Sequence, residues 1–305
     1  MSFDGIKKIL KNEIDNIIIE ENVPMSKYTS FRAGGSARMM VMPQSIDDLK
    51  TVLSVLGSES CRHMVLGNGS NVLVRDSGYD GIIVKIGSGF DYVRQEEDCL
   101  VCGSGSLMSV VAKAAVSASL AGFEFASGIP GSIGGAVFMN AGAYGGEIKD
   151  ILKKAHIISK DGRNEYQMTS DELQMGYRHT VLHETGDVVV EVELALKKGE
   201  QQKIKSQIAE LMDRRNSKQP VNFPSAGSFF KRPEGYFAGK LIMDSGLAGY
   251  QVGGAQVSEK HCGFVINTGD ATAEDVRSLM KHVTEIVYAK FGVTLEPEVK
   301  FLGEF

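Results

Sequence analysis

The densest run of glycine in this chain lies between Gly128 and Gly146, and it constrains the fold more than any other feature. The segment contains seven glycines and one proline, and it has no charged residue. Glycine loses more backbone entropy on folding than any other residue. A folded chain therefore keeps such a run where the backbone bends sharply or lies close to a flat or anionic ligand. The segment predicts a backbone that lines a ligand.

A second glycine loop, Gly67-Asn-Gly-Ser-Asn71, lies upstream between the short apolar runs 64–66 and 72–74. Consecutive backbone N–H groups in such a turn form a concavity that binds phosphate oxygens, and Ser70 and Asn71 add side-chain donors. The plain alternative is a hairpin turn, because Asn-Gly is a strong hairpin signal. Together the two loops favour a large cofactor that carries two phosphates and a ring system.

Length and charge exclude several classes of protein. The 305 residues predict two domains or three small ones. The net charge is −5 and no basic stripe is present, so we expect no nucleic-acid partner. Residues 114–146 carry only Glu124 as a charged residue, but Pro130 and many glycines interrupt every apolar run long enough to span a bilayer. We expect no membrane span, and the six histidines show no metal spacing.

Two of the four cysteines form the CxxC spacing Cys99-Leu-Val-Cys102. The alternating pattern around them predicts a strand with reduced structural thiols, and the alternative is a redox pair. Low cysteine use is typical of cytoplasmic proteins. Residues 3–11 mix apolar and charged side chains at helical spacing, which predicts an amphipathic helix and not a signal peptide. We therefore expect a cytoplasmic protein.

The order of predicted elements indicates an α+β fold with several small sheets, because helices and strands do not alternate. The helices are expected over 46–56, 107–120, about 202–216 and from the capping-box sequence Thr272-Ala-Glu-Asp275 to about 287. The strands are expected over 64–66, 72–74, 82–86, 99–102, 155–158, 165–168 and 188–194. Gly67-Asn-Gly69 and Gly103-Ser-Gly105 both lack the third glycine of the dinucleotide fingerprint, so a bound dinucleotide would not lie on a Rossmann unit.

Ser228 is a candidate proton donor. It follows Gly227, which frees the backbone, and it precedes Lys231 and Arg232. A hydroxyl beside two cations suits proton transfer near a bound anion. The alternative is the start of a strand with a solvated Lys-Arg tip.

Arg178 and an acidic segment near the C-terminus are further candidates. A guanidinium always stays charged and can hold a carboxylate through two parallel hydrogen bonds, although a lone arginine is usually a surface residue. Glu296, Glu298 and Lys300 share one face of a predicted strand over 295–301. The alternative is that this face is simply a polar surface exposed to solvent.

These motifs follow one another in an order that resembles the UDP-N-acetylenolpyruvoylglucosamine reductase (MurB) family over nearly the whole chain. The motifs that carry the resemblance are Tyr28-Thr-Ser-Phe-Arg-Ala-Gly-Gly35, Leu66–Val74, Ser127–Gly135, Tyr177-Arg178, Gly227–Lys231 and Leu295–Gly303. Thr180 stands where the family often has serine, and Arg232 stands where some members have asparagine. The chain lacks the inserted tyrosine loop of the longer type and so resembles the shorter, second type.

The resemblance implies a PCMH-type FAD-binding region of two subdomains and a smaller α+β substrate-binding domain. The expected boundaries are 1–88 and 89–201 for the subdomains and 202–298 for the substrate-binding domain, with 299–305 returning to the first. The implied cofactor is noncovalent FAD, and NADPH is the co-substrate. The implied reaction reduces UDP-N-acetylglucosamine enolpyruvate to UDP-N-acetylmuramate in peptidoglycan biosynthesis, with hydride from flavin N5 to the vinyl carbon and a proton from Ser228.

The resemblance also assigns roles to single residues. Arg178 is implied to hold the substrate carboxylate, Ser228 to deliver the proton and Glu298 to lie beside the reacting enolate. The implied FAD-binding residues are Gly67, Asn68, Gly69, Ser70, Asn71, Gly128, Pro130, Gly131, Ser132, Gly134, Ala141 and Gly142. The implied substrate-binding residues are Tyr177, Lys218, Lys231, Arg232 and His261.

Two rival functions remain open from the residues. Another flavin oxidase of the same fold would often attach FAD covalently through histidine or cysteine, and neither glycine loop contains either residue. A non-catalytic nucleotide-binding module would keep the glycine loops but would not need Arg178, Ser228 and Glu298 together. Bleaching of a bound flavin by NADPH separates an enzyme from an inert binder.

Overall fold

The computed structural model of the chain describes residues 2–303. Its α-helices in that range are α1 Phe3–Glu13, α2 Ile46–Ser58, α3 Met108–Ser117, α4 Ile133–Phe138, α5 Leu182–Thr185, α6 Gln201–Lys218, α7 Ala238–Asp244 and α8 Ala273–Phe291. Its strands are β1 Ile18–Pro24, β2 Ser36–Met42, β3 His63–Leu66, β4 Val72–Val74, β5 Tyr79–Lys85, β6 Val93–Glu96, β7 Cys99–Gly103, β8 Leu120–Ala121, β9 Gly142–Ala143, β10 Gly146–Glu147, β11 Leu152–Ile158, β12 Glu165–Met168, β13 Val188–Ala195, β14 Lys197–Lys198, β15 Ser225–Ser228, β16 Gln251–Val252, β17 Ala255–Val257, β18 Phe264–Asn267 and β19 Lys300–Leu302.

The strands form several separate sheets rather than one. The three larger sheets have the orders β1-β2-β5-β3, β12-β11-β13-β7-β6 and β15-β18-β17-β16, and the two-stranded pairs are β10-β9, β14-β8 and β19-β4. The five-stranded sheet is antiparallel throughout, whereas β3 pairs with β5 and β4 pairs with β19 in parallel. This arrangement confirms the α+β prediction.

The chain divides into two compact units. Within the described range, the first unit comprises the chain up to Glu21, Met39–Asn68 and Gly81–Asp213, and the second comprises Asn22–Arg38, Gly69–Asp80 and the chain from Arg214 onward. The division into three domains with boundaries near 88 and 201 stays a prediction. Residues 304–305 of its last segment, like Met1, lie outside the described residues.

Two apolar clusters fill the first unit. One packs α3 and α4 against the five-stranded sheet, and Val111, Val137 and Leu194 are fully buried in it. The other joins α1 and α2, where Leu10 and Leu53 are fully buried. Burying one such side chain is worth about 1.5–3 kcal/mol. These clusters therefore fix the elements from which the glycine segments emerge.

Helix α8 is the main helix of the second unit, and Leu279 and Val283 on its inner face are fully buried. The helix begins at Thr272, whose hydroxyl accepts the N–H of Asp275 while the Asp275 carboxylate accepts the N–H of Thr272. Asp76 accepts the first two N–H groups of the helix, at 2.7 and 2.9 Å. The predicted capping box is confirmed.

Helix α3 is shorter than the predicted 107–120. Leu107 is extended and forms a backbone bridge with Ser132. At the other end Ser119 has a left-handed φ of +54°, which stops the helix. Among residues 2–303, no helix is long and apolar enough to cross a membrane.

The CxxC pair lies on a strand, as predicted. Cys99 and Cys102 both belong to β7, and neither is in a disulfide. Burial raises the pKa of the Cys102 thiol to about 12. Because the thiolate is the reactive form, burial disfavours reaction at Cys102, and the structural role of the pair stays a prediction.

Candidate active site

The loop 67–71 connects two strands that do not pair with each other. Since β3 pairs with β5 and β4 pairs with β19, the hairpin alternative is wrong. At the end of the loop, Asn71 donates from Nδ2 to the carbonyl oxygen of Glu298 at 3.1 Å. The Asn71 carbonyl oxygen accepts the N–H of Lys300 at 3.0 Å. The loop is therefore tied to the segment that carries a predicted catalytic residue.

Gly69 has an internal reason to be glycine. Its φ is +63°, and a Cβ on it would lie 2.0 Å from the carbonyl oxygen of Tyr28. Its own carbonyl oxygen accepts the N–H of Ser30 at 3.1 Å, and the Ser30 hydroxyl donates to the carbonyl oxygen of Ser70 at 3.3 Å. The backbone of the motif that begins at Tyr28 thus fixes the shape of the loop.

Gly67 and Ser132 come from the two predicted cofactor segments and lie against each other. A Cβ on Gly67 would be 2.5 Å from Ser132 Oγ. Ser132 is 3% exposed, and its hydroxyl has no hydrogen-bond partner within residues 2–303. Leaving such a group unsatisfied costs about 1–3 kcal/mol. A polar ligand group at this point would remove that cost. Asn68, another predicted cofactor residue, is exposed.

Two more buried hydroxyls near these segments lack a partner in the described part of the chain: Ser104 Oγ and Thr29 Oγ1. Ser104 packs on Gly134, where a Cβ would lie 2.6 Å from Ser104 Cβ, and its carbonyl oxygen accepts the Gly134 N–H at 2.9 Å. Thr29 lies beside Gly69. Neither hydroxyl belongs to a recognisable motif of its own, and each is marked in the sequence only by its closeness to one. Close-approaching glycines with unsatisfied hydroxyls fit a phosphate-bearing cofactor.

The other predicted cofactor residues frame helix α4. The Gly131 carbonyl oxygen accepts the N–H of Met108 at 3.0 Å. Gly142 pairs with Glu147 in the β9–β10 hairpin, where a Cβ on Gly142 would lie 2.7 Å from the carbonyl oxygen of Gly146. Of the other predicted cofactor residues, Gly128 and Pro130 lie in the loop before α4, and Ala141 lies just before β9. Contacts within the protein itself hold these backbones in place.

Arg178 occupies a two-residue turn between Gly176 and His179, whose backbones bond to each other. Its φ is +55°, a left-handed conformation that costs a non-glycine residue about 1–3 kcal/mol and is concentrated at functional sites. The guanidinium donates from Nη1 to the carbonyl oxygen of Asn140 at 3.5 Å and from Nη2 to that of Gly142 at 3.3 Å. The turn thus presents a charged fork in a defined orientation.

Thr180 stands where the family often has serine, and its hydroxyl forms a buried hydrogen bond. It is fully buried, and its Oγ1 donates to the carbonyl oxygen of Phe138 at 2.9 Å. Its backbone N–H donates to His183 Nδ1 at 3.2 Å. The turn that carries Arg178 is therefore anchored on its C-terminal side as well.

Ser228 ends strand β15, at a point where the register with β18 shifts. The preceding Gly227 has a φ of +74°, and a Cβ there would meet no atom within 4 Å. The conformation, not crowding, requires glycine at that position. Ser228 itself is exposed, so its hydroxyl is accessible to a ligand.

The chain after Ser228 runs beside the acidic segment. The N–H of Glu298 donates to the carbonyl oxygen of Phe229 at 2.8 Å, and the N–H of Lys231 donates to that of Glu296 at 2.8 Å. Only residues 300–302 form a regular strand there, so the predicted strand over 295–301 is mostly irregular. The hydrogen bonds nevertheless bring Glu298 next to the residue that follows Ser228.

Two of the predicted substrate-binding cations, Lys231 and Arg232, follow Ser228 closely along the chain. Lys231 Nζ is 3.2 Å from Glu296 Oε2 in an exposed ion pair, which is worth at most about 1 kcal/mol. Burial, together with the positive charge of Lys231, lowers the pKa of Lys300. The Arg232 guanidinium lies 4.0 Å from the centroid of the Phe237 ring. The second unit therefore concentrates cations here. The sequence placed Lys300 on the polar face of the predicted strand but assigned it no role.

The remaining predicted substrate residues occupy separate elements. Lys218 is exposed in the last turn of α6, and Tyr177 is exposed with the Arg178 guanidinium 4.9 Å from its ring centroid. His261 Nδ1 accepts the N–H of Gly263 at 3.1 Å, and burial lowers the pKa of the imidazole. A neutral ring with Nδ1 as acceptor carries its proton on Nε2. His261 therefore has one N–H donor to offer.

The fold and the site define a flavin-binding oxidoreductase. Residues 37–165 match the FAD binding domain family, and residues 219–302 match the family described as UDP-N-acetylenolpyruvoylglucosamine reductase, C-terminal domain. These two matches cover both glycine segments and the segment from Ser228 to Glu298.

Full-length relatives give the particular family. The chain is 46% identical to the UDP-N-acetylenolpyruvoylglucosamine reductase of Alkaliphilus oremlandii, over 99% of this chain and 98% of that protein. It is 48% identical to the enzyme of the same name from Lachnoclostridium phytofermentans, over 98% and 99% of the two chains. The crystal structure of UDP-N-acetylenolpyruvylglucosamine reductase from Thermus caldophilus matches with a TM-score of 0.82 and 33% identity, covering 94% of this chain and 100% of that one.

The chain belongs to the UDP-N-acetylenolpyruvoylglucosamine reductase family. The predicted family, the PCMH-type FAD-binding fold and the FAD cofactor are confirmed. The full-length match favours the reductase over both rivals, the other flavin oxidase and the non-catalytic binding module.

Proposed function

We propose that this protein uses NADPH and bound FAD to reduce UDP-N-acetylglucosamine enolpyruvate to UDP-N-acetylmuramate for peptidoglycan synthesis. One observation carries the proposal beyond the family match. Asn71 of the cofactor loop bonds to the Glu298 carbonyl oxygen, and the Glu298 N–H bonds to the residue that follows Ser228. A short chain of hydrogen bonds therefore links a cofactor loop to two candidate reacting groups.

FAD, when bound, supplies hydride transfer from NADPH to the substrate. The residues that would hold it are the backbone of 67–71, of Gly128–Gly134 and of Ala141 and Gly142, with Ser132 as a buried donor. A fixed backbone costs no reordering when the anionic cofactor binds. Noncovalent attachment is expected because neither segment contains histidine or cysteine.

Arg178 is proposed to hold the substrate carboxylate. Reduction of the vinyl group leaves negative charge on the carbon that bears this carboxylate. A guanidinium fixed in place before the reaction stabilises that charge without reorganisation. A carboxylate offers this planar fork two charge-assisted hydrogen bonds, which are stronger than bonds to neutral carbonyl oxygens such as those of Asn140 and Gly142.

Ser228 is proposed to protonate the carbanionic carbon, with Glu298 beside the enolate. A serine hydroxyl is a weak acid, so it requires cations nearby while it gives up its proton. Lys231 and Lys300 supply positive charge in the same part of the second unit. The exposure of Ser228 lets the hydroxyl approach the substrate without displacing protein atoms.

The substrate diphosphate is proposed to bind Lys218, Lys231 and Arg232, because hydrogen bonds from cations to phosphate are the strong ones. Lys231 would exchange its exposed partner Glu296 for phosphate, at little cost. His261 would donate from Nε2, and Tyr177 would pack beside the carboxylate site.

We also propose a cytoplasmic location, which the free cysteines favour.

Anaerobic half-reactions test the proposal. The purified protein is expected to be yellow, to release its FAD on acid precipitation and to bleach with NADPH. The flavin colour is expected to return on addition of the enolpyruvyl substrate, with one UDP-N-acetylmuramate formed per flavin. A protein that bleaches but is not reoxidised by this substrate contradicts the proposal.

A further inference from the structure

Asn140 uses both the nitrogen and the oxygen of its side-chain amide in hydrogen bonds. It lies just after α4, is fully buried and has a left-handed φ of +41°. Its Nδ2 donates to the carbonyl oxygen of Gly176 at 2.8 Å and to Glu147 Oε2 at 3.1 Å. Its Oδ1 accepts the N–H of Lys149 at 3.0 Å. Both donors and the acceptor of the amide are therefore used.

The same residue contacts Arg178 from two sides. Gly176 begins the turn that carries Arg178, so the Asn140 side chain holds that turn in place. The Asn140 backbone carbonyl oxygen accepts Arg178 Nη1, and the adjacent Gly142 carbonyl oxygen accepts Nη2. One buried amide thus fixes both the backbone of the arginine and the carbonyl oxygens against which its guanidinium lies.

We propose that Asn140 is a positioning residue for Arg178, which orients the guanidinium for the substrate carboxylate. The inference rests on the proposed function of Arg178. An arginine side chain carries about 2 kcal/mol of rotamer entropy, and an error of about 1 Å in position can cost about 10²-fold in rate. A group that holds the turn removes part of this cost before the substrate arrives.

The chemistry of the neighbours explains why the residue is an amide. Partial burial disfavours the Glu147 carboxylate, but hydrogen bonds from Lys149 and Asn140 and the charge of Arg178 outweigh it, so the Glu147 pKa is lowered. Glu147 is therefore an anion at neutral pH. An aspartate at position 140 would lose both N–H donors and would place a second carboxylate against Glu147. Asparagine is the residue of this size that satisfies the site.

The test compares Asn140→Gly, which accepts the left-handed backbone and removes the whole side chain with its amide, with Asn140→Asp. Asn16→Gly is the matched control, because Asn16 is an exposed asparagine with a φ of +58°. Both position-140 variants are expected to keep full FAD occupancy and normal reduction by NADPH. Reoxidation by the enolpyruvyl substrate is expected to slow about 10-fold in Asn140→Gly and further in Asn140→Asp. The control is expected to match the wild type in both half-reactions.

A double-mutant cycle separates positioning from general support of the fold. In an Arg178→Ala background, Asn140→Gly is expected to slow reoxidation by less than about 2-fold, because the group it positions is gone. A full 10-fold effect in both backgrounds, or slower reduction by NADPH, would overturn the inference. If Arg178→Ala itself reoxidises normally, the proposed role of Arg178 fails first.

A second variant covers the case in which Asn140→Gly does not fold. Glu147→Gln loosens the same amide from its far side while it keeps the asparagine. It is expected to slow reoxidation about 3-fold with normal reduction by NADPH. Unchanged reoxidation in Glu147→Gln would then count against the inference.

Discussion

Arg178 and Ser228 are proposed to serve the same half-reaction, but the chain presents them in different ways. Arg178 lies in a tight turn held by two fully buried polar residues, Asn140 and Thr180. Ser228 lies at the exposed end of a strand, after a glycine in open space and at a shift of register. One group is locked by side-chain hydrogen bonds, and the other is placed by backbone alone.

The difference follows from what each group must do. A charged fork stabilises a carboxylate only in a defined orientation, so its surroundings supply the order in advance. A hydroxyl proton donor rotates freely about one bond, so backbone placement and access are sufficient. The comparison predicts that the Arg178 turn is sensitive to changes in its buried support, whereas the Ser228 strand is sensitive mainly to loss of the hydroxyl.

The largest effect is expected for Ser228→Ala. A positioned proton donor is worth about 10²–10⁴ in rate, so turnover should fall by at least about 10²-fold. FAD content and bleaching by NADPH should stay normal, since the hydroxyl is exposed and packs no core. Stopped-flow absorbance at the flavin band measures both half-reactions.

Ser225→Ala on the same strand is the control and should match the wild type. In deuterated solvent the wild type should place deuterium on the carboxylate-bearing carbon with one stereochemistry. Wild-type turnover in Ser228→Ala would remove this residue as the donor and leave Glu298 or an ordered water.

Arg178→Lys is expected to have the next largest effect. The charge is kept but the planar fork is lost, and removing one preorganised donor typically costs about 10²–10³ in rate. Reoxidation by the enolpyruvyl substrate should slow towards the lower end of that range, while reduction by NADPH stays near normal. Equal slowing of both half-reactions would indicate a structural arginine and would break the comparison.

Ser132→Ala tests the cofactor side of the same unit. The variant removes a buried hydroxyl that has no partner within residues 2–303, so the apoprotein should be as stable as the wild type or more so. Loss of one hydrogen bond of about 1.4 kcal/mol to FAD lowers affinity about 10-fold. Titration of apoprotein with FAD, followed by fluorescence quenching, measures it, with the exposed Ser206→Ala as control. Unchanged FAD affinity would contradict the assignment.

Gly69→Val would be the obvious way to block the predicted phosphate loop, but it is a poor test of FAD binding. The new Cβ would lie 2.0 Å from the Tyr28 carbonyl oxygen. Loss of flavin from Gly69→Val would follow from a distorted loop whether or not the loop binds phosphate. The Ser132 hydroxyl avoids this ambiguity because its removal introduces no clash.

The smallest effect concerns His261 in the second unit. Burial lowers its pKa below the usual value, so the unfolded chain binds the proton more readily than the fold does. The stabilising contribution is therefore complete above about pH 6.5 and declines as the pH falls through that value. Relative to His261→Gln, the wild type should lose thermal stability between pH 7.5 and about 5. If the melting temperatures of the wild type and His261→Gln change equally with pH over this range, the imidazole is not buried in its neutral form.

Several elements of the fold were predictable because their signals are local. The cap at Thr272 and the apolar spacing after it predicted α8, and the capping box is present as expected. Helix α3 was predicted too long, because Leu107 is recruited into a bridge with Ser132. That bridge joins distant segments, and no window of the sequence contains both.

The site residues also divide into those that the sequence revealed and those that only the structure revealed. The glycine loops, Arg178, Ser228 and Glu298 were visible as motifs, and their roles stay predictions. Asn140 and Ser104 were not singled out, and Lys300 was named without a role, because asparagine, serine and lysine are common residues. The hairpin alternative for 67–71 failed because strand pairing is decided by partners far along the chain.

The sequence by itself determined the family, the cofactor class and the positions where the backbone must turn, since glycine and capping residues act on their own neighbours. Only the tertiary structure decided that Gly67 lies on Ser132, that Asn71 bonds to the Glu298 segment and that Asn140 holds the Arg178 turn. The physical reason is that the contacts of a side chain depend on which segments the fold brings to it. Those segments here are separated by up to 227 residues.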